Sequence, residues 1–193
     1  MGRWHSPNPA GAAELFRGAT TPWWIAGGWA IELFVGSEVR EHSDLEVGCF
    51  RPDVPMLAAQ LSGWELFAAI DGSLEPFDAS SIADSNVHSI WCRPAGSEYW
   101  VLEILIEERD GTDWTYRRDN RIRFPVANLA RQSGTGLPYL CPEVQLLYKS
   151  KEPRAKDDVD FAVAWPLLDT SAQNWLATTV RSVSPRCKWN LSS

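Results

Sequence analysis

The chain has 193 residues, 45% hydrophobic and 22% charged, enough apolar material for one sizeable core with a small appended subdomain. Its formal charge of −7 and lack of an extended Lys/Arg block disfavour a nucleic-acid backbone as partner and suit a cationic small molecule. No apolar run reaches the ~18 residues that span a bilayer and no signal peptide is recognisable, so a cytoplasmic location without membrane attachment is expected.

Gly2 and Ser6 satisfy a loose acylation pattern, but no polybasic stretch supports it. Cys49, Cys92, Cys141 and Cys187 lie far apart with no CxxC pair, which argues against a zinc site and suits reduced thiols. Eleven tryptophans are expected mostly in the core, with some available to line a ligand cleft.

In chain order, Asn8-Pro9 begins a short helix that ends near Gly18. The apolar run Trp23 to Ala26 predicts a buried strand, and Gly27-Gly28 a tight turn with close backbone approach. Trp29 to Val35 has a helical pattern closed by Gly36, and the free N–H groups at the start of that helix favour a phosphate. Asp44 and Glu46 alternate around Leu45, which places both carboxylates on one face of a strand. Two like charges held that close call for a cation, and with Arg40 and His42 the whole stretch reads as a metal-dependent phosphate site.

Further on, Val54 to Leu61 predicts an amphipathic helix. Residues 64–70, 87–92 and 99–106 are strand candidates whose short connections suggest antiparallel pairing. Residues 114–125 suggest a hairpin with four arginines, of which Arg117 and Arg118 either lie on a solvated face or protect a sheet edge, the more common use, or face a phosphate or the acceptor. Pro142 opens a helix containing Val144, Leu147 and Tyr148, and a second helical piece covers 154–164. A last helix starts at Thr170 or Ser171, either serving as its cap. The result is an α+β sheet domain, residues 1–138, followed by a helical C-terminal part, residues 139–193.

Glu103 lies inside YWVLEILI, where an unpaired charge would be costly, so it must be paired, metal-bound or protonated. As a third acid it would complete a metal site with Asp44 and Glu46. The plainer alternatives are a solvated strand face for Asp44 and Glu46, an arginine partner for Glu103 and a structural hydrogen bond for His42. Lys156, Asp157 and Asp160 fit a helix pair at i, i+4.

From about Trp23 to Asp160 these motifs resemble the nucleotidyltransferase superfamily of polymerase-β type, most closely the small bacterial enzymes that adenylylate aminoglycosides and lincosamides. The resemblance implies a mixed, largely antiparallel sheet flanked by helices. It implies that Gly27 and Gly28 cradle a triphosphate near Arg40 and His42, and that Asp44 and Glu46 hold magnesium. Glu103 would bind metal or act as general base, and Lys149, with Lys151 as runner-up, would reach the phosphates. The activity implied is transfer of AMP from ATP to a hydroxyl of a small molecule, with release of pyrophosphate. The family pair is usually Asp-x-Asp, whereas Glu46 is one methylene longer, and the third acid is also Glu. Two alternatives stay open: a toxin-like enzyme acting on RNA or protein, and a nucleotide-binding module without catalysis.

Overall fold

In the computed structural model, which describes residues 3–78, 82–83 and 86–192, ten strands form one mixed sheet flanked by seven α-helices, and Arg3–Trp4 pairs in parallel with Tyr99–Trp100 in a separate two-stranded sheet; the elements are named here in chain order. Gly2 of the acylation pattern lies outside the described residues. The first half contains β1 (Arg3–Trp4), α1 (Pro9–Leu15), β2 (Trp24–Ile25), α2 (Gly27–Val35), β3 (Glu46–Phe50), α3 (Val54–Ala58), β4 (Trp64–Ile70), β5 (Ser73–Pro76) and β6 (Ser89–Pro94). Then come β7 (Tyr99–Trp100), β8 (Leu102–Asp110), β9 (Asp113–Thr115), β10 (Arg123–Pro125), α4 (Val126–Leu129), β11 (Ala130–Gln132) and β12 (Pro138–Leu140). Three C-terminal helices follow: α5 (Pro142–Lys149), α6 (Ala155–Ala164) and α7 (Thr170–Val183).

Strand order in the main sheet is β11-β12-β2-β3-β8-β6-β4-β5, with the β9–β10 hairpin attached to β8. The β3–β8 and β12–β2 pairs are parallel, and the other pairs along this path and in the hairpin are antiparallel, as expected. The β3–β8 register sets Glu46 beside Glu103. Alternation along β8 sends Leu102, Ile104 and Ile106 into the core, leaving Glu103, Leu105 and Glu107 on the opposite face.

Local signals explain most boundaries. Asn8 caps α1 by accepting from the Gly11 N–H at 3.3 Å, and Gly36 ends α2 in a left-handed conformation (φ 80°). Helix α2 starts at Gly27, two residues before its apolar pattern begins. Helix α3 ends at Ala58, short of the expected Leu61, in a turn that leads to Gly63. The cap of α7 is Asp169, not Thr170 or Ser171; its Oδ1 accepts from the Ala172 N–H at 2.9 Å. Trp24 and Trp114 are fully buried in a core shared by the sheet and α5. Among the described residues no helix is long and apolar enough to cross a membrane.

Candidate active site

The end of β2 and the start of β3 bring the candidate residues together. Glu46 is the first residue of β3, while Asp44 lies two residues ahead of the strand, so the pair flanks its entrance instead of sharing its face. Both line a cleft of about 390 Å³ together with Gly27, Gly28, Arg40, Glu103 and Lys149. Burial, with added repulsion from Glu103 and Asp44, pushes the Glu46 carboxyl up to about 7. Glu103 is also raised, chiefly by burial, although hydrogen bonds from the Ser89 and Trp91 side chains oppose that rise. Those donors take the place of the arginine partner considered from the sequence.

The glycine pair has a packing reason as well as a conformational one. Gly27 has φ +66°, and a Cβ there would collide with the Glu46 carboxylate. A Cβ on Gly28 would run into Arg40 and His42. The Gly27 N–H already donates to Gln145 Oε1 at 2.8 Å, a contact from α5 that local sequence cannot reveal.

His42 stands behind the cleft. Its Nδ1 accepts from Arg40 Nη1 at 3.2 Å, so Nε2 carries the proton and donates to Glu32 Oε1 at 2.8 Å. The ring is 2% exposed and stacks on Trp29 at 4.2 Å. Burial alone would raise the Glu32 carboxyl, but hydrogen bonds from the Val39 and Arg40 N–H groups and from His42 bring it below its ordinary value. His42 is thus held in a hydrogen-bonded chain that braces Arg40.

Cations share the cleft with the acids and form its cationic wall. Arg40, Lys149, Arg154 and Lys156 line the cleft, whereas Lys151 is absent from its lining. Two acids on α6 hold that wall from behind. Asp160 accepts from Arg40 Nε at 2.9 Å and Nη2 at 3.0 Å and pairs with Lys149 Nζ at 2.9 Å. Asp157 pairs with Lys149 at 2.9 Å and Arg154 at 2.8 Å. Burial would raise both carboxyls, yet these cations hold both below the ordinary aspartate range. The expected i, i+4 pair is therefore not the organising contact. Both acids turn inward on the face of α6 that also buries Phe161 and Ala164, and that polar-in-apolar placement was the signal available in the sequence.

Arg117 and Arg118 are exposed but stand on the cleft rim, not on a detached solvated face. Arg118 Nη1 donates to the Tyr148 carbonyl at 3.0 Å and the Tyr116 hydroxyl at 3.1 Å. Glu107 also lines the cleft, and the alternation Glu103, Leu105, Glu107 could have disclosed it. Among the described residues no three His, Cys, Asp or Glu side chains are gathered tightly enough to hold a metal ion. What the cleft offers a divalent cation is hard oxygen donors whose mutual repulsion, felt at Glu46, such a charge would relieve.

The mixed sheet, the glycine-started helix and the acid-lined cleft define a nucleotidyltransferase fold. Lincomycin-bound lincosamide antibiotic adenylyltransferase LnuA shares it with TM-score 0.59 and 15% identity, covering 86% of this chain and 99% of that one. The antibiotic-resistance factor ANT(2'')-Ia in solution gives 0.54 and 15%, covering 91% and 88%. ANT(2'')-Ia in complex with adenylyl-2''-tobramycin gives 0.53 and 14%, covering 91% and 94%. Residues 11–163 match the aminoglycoside-2''-adenylyltransferase model, and the chain belongs to that family of adenylyltransferases. No curated protein sequence matches it significantly.

Proposed function

We propose that the protein transfers AMP from ATP to a hydroxyl of an antibiotic-type small molecule and releases pyrophosphate. One observation carries this reading: the acids Asp44, Glu46 and Glu103 share a cleft with the cations Arg40, Lys149, Arg154 and Lys156. Opposite charges lining one cleft suit a triphosphate with its counter-ion beside an attacking nucleophile.

Lys149 and Arg40 bind triphosphate oxygens, fixed in direction by Asp160. Gly27 and Gly28 leave room for phosphate to approach the start of α2. Glu103 takes the proton of the acceptor hydroxyl as it attacks the α-phosphorus, a role suited to a buried carboxyl raised above its ordinary value. Asp44 and Glu46, with Glu103 nearby, would hold magnesium only together with the substrate phosphates, and the ion would supply charge that offsets that on the phosphate oxygens. A magnesium site commonly uses one or two carboxylates plus substrate phosphates, which agrees with acids that share a cleft without forming a closed cage. The small-molecule acceptor follows the family and the LnuA and ANT(2'')-Ia likenesses.

A pyrophosphate-release assay with ATP, magnesium and a panel of aminoglycosides and lincosamides tests the reading. Turnover with at least one acceptor, abolished by chelation and by Glu103→Gln, is expected. ATP binding with no turnover on any acceptor would favour a nucleotide-binding module, and labelling of RNA or protein would favour a macromolecular target.

A further inference from the structure

Glu103 belongs to a row of side chains that runs straight across the sheet. Register places Glu46 of β3 beside Glu103 of β8, Glu103 opposite Trp91 of β6, and Trp91 opposite Phe67 of β4. Residues paired in this way share a face, so two acids and then two aromatic rings stand side by side at the strand spacing of about 4.8 Å. On one side Glu103 meets another acid, and on the other it meets a donor. The only polar group of the Trp91 side chain is its indole N–H, and that group and the Ser89 hydroxyl both donate to the Glu103 carboxyl. Ser89 and Glu103 line the cleft and Trp91 does not, so the indole meets the acid and not the substrate.

An aromatic rack holds that indole. Trp4 packs edge-on against it at 4.9 Å and 64°, and Trp100 does so at 5.5 Å and 76°. Trp100 is itself buried and packs on Phe67 at 5.4 Å. The parallel pairing of β1 with β7 sets Trp4 beside Trp100, and the His5 N–H fastens that pairing by donating to the Trp100 carbonyl at 2.8 Å. Rings from β1, β4 and β7 thus leave the Trp91 indole little room to swing. Packing alone asks only for an apolar ring at position 91 and has no use for an N–H aimed at a buried acid. A base, by contrast, must present an oxygen within hydrogen-bond reach of the hydroxyl it deprotonates, and the terminal torsion of a glutamate is broad unless donors fix it. We propose that Trp91 and Ser89 are positioning residues that fix the Glu103 carboxyl and leave its remaining lone pairs to the acceptor hydroxyl. This rests on the reading of Glu103 as the base and deepens it. Burial disfavours the ionised form of Glu103 and the same two donors oppose that effect, so they favour the form able to take a proton.

The test is kinetic, on the full chain with magnesium-ATP and the best acceptor among the aminoglycosides and lincosamides. Trp91→Phe keeps a ring for Trp4 and Trp100 to pack on and deletes the N–H; kcat is expected to fall about 10- to 100-fold while KM for ATP and for the acceptor stays within about twofold. Ser89→Ala should lose rate in the same way, and Ser89→Thr, which restores the hydroxyl, should recover most of it. Wild-type kcat in Trp91→Phe overturns the proposal, and so does a raised KM with kcat unchanged, which would make Trp91 a matter of binding or packing. Should Trp91→Phe fail to fold, equal rates in Ser89→Ala and Ser89→Thr overturn it instead. A second readout needs no turnover: in the ¹H–¹⁵N spectrum the Trp91 indole signal, identified by its loss in Trp91→Phe, should move when Glu103→Ala removes its acceptor, and an unmoved signal also overturns the proposal. Turnover by the wild type that Trp91→Phe leaves intact would sink this inference alone. An indole signal that depends on Glu103, in a wild type that turns over no antibiotic, would sink the transferase reading alone.

Discussion

Replacing Glu46 with Gln gives a direct thermodynamic test of the crowded acids. Glu46 is pushed from the ordinary 4.5 to about 7 by burial and by the charges of Glu103 and Asp44. Between those pH values the unfolded chain gives up the proton while the folded chain keeps it, so stability falls as pH rises through the window and the loss is complete above about 7. At ~1.4 kcal/mol per pH unit, and allowing for partial exposure, ionised Glu46 costs about 2 to 3 kcal/mol in the metal-free protein. Urea unfolding without metal should therefore show wild type and Glu46→Gln nearly equal at about pH 4, with the variant more stable by that amount at about pH 8. The corresponding difference in thermal midpoint is roughly 4–12 °C for a chain of this size. Under the proposed chemistry, magnesium added at the higher pH should stabilise wild type more than the variant, since an ion held by the folded carboxylates favours the folded state. A variant no more stable than wild type at the higher pH, or a gap independent of pH, would refute the argument.

Three other perturbations probe the same construction. Gly27→Ala forces a side chain into the space of the Glu46 carboxylate at φ +66°; a cost of at least ~1–2 kcal/mol and weakened magnesium-ATP binding are expected by unfolding and calorimetry. Asp160→Ala removes the shared partner of Arg40 and Lys149, and a loss of about 3–5 kcal/mol should appear in denaturant unfolding. Glu103→Gln should abolish pyrophosphate release while the chain stays folded, with an unfolding midpoint at neutral pH no lower than that of wild type because a buried charge is removed; an active variant would remove Glu103 from the mechanism.

Local chemistry made part of this molecule readable in advance. The glycine pair, the Asp44/Glu46 alternation and the lone acid in YWVLEILI each break a local pattern, and the cleft gathers all of them. What escaped depends on partners far along the chain. Gln145 reaches Gly27 across 118 residues, and Asp160 reaches Arg40 across 120. His42 shows the intermediate case: its type and position suggested either phosphate contact or structural bonding, and only the fold brings Glu32 and Trp29 against its ring. The α7 cap was misplaced by one residue because Asp169, Thr170 and Ser171 all have side chains able to cap, and periodicity does not rank them.

Asp160 on α6 holds Arg40, in the loop after α2, and Lys149, on α5, at the same time, so one carboxylate ties three parts of the chain together through cations that line the cleft. Drawing α6 away would strip both cations of that counter-charge, and the potential an incoming anion meets would change with it. Under the proposed chemistry, grip on the triphosphate and the seating of α6 are a single quantity: a substrate that leans on those cations also tugs on the joint.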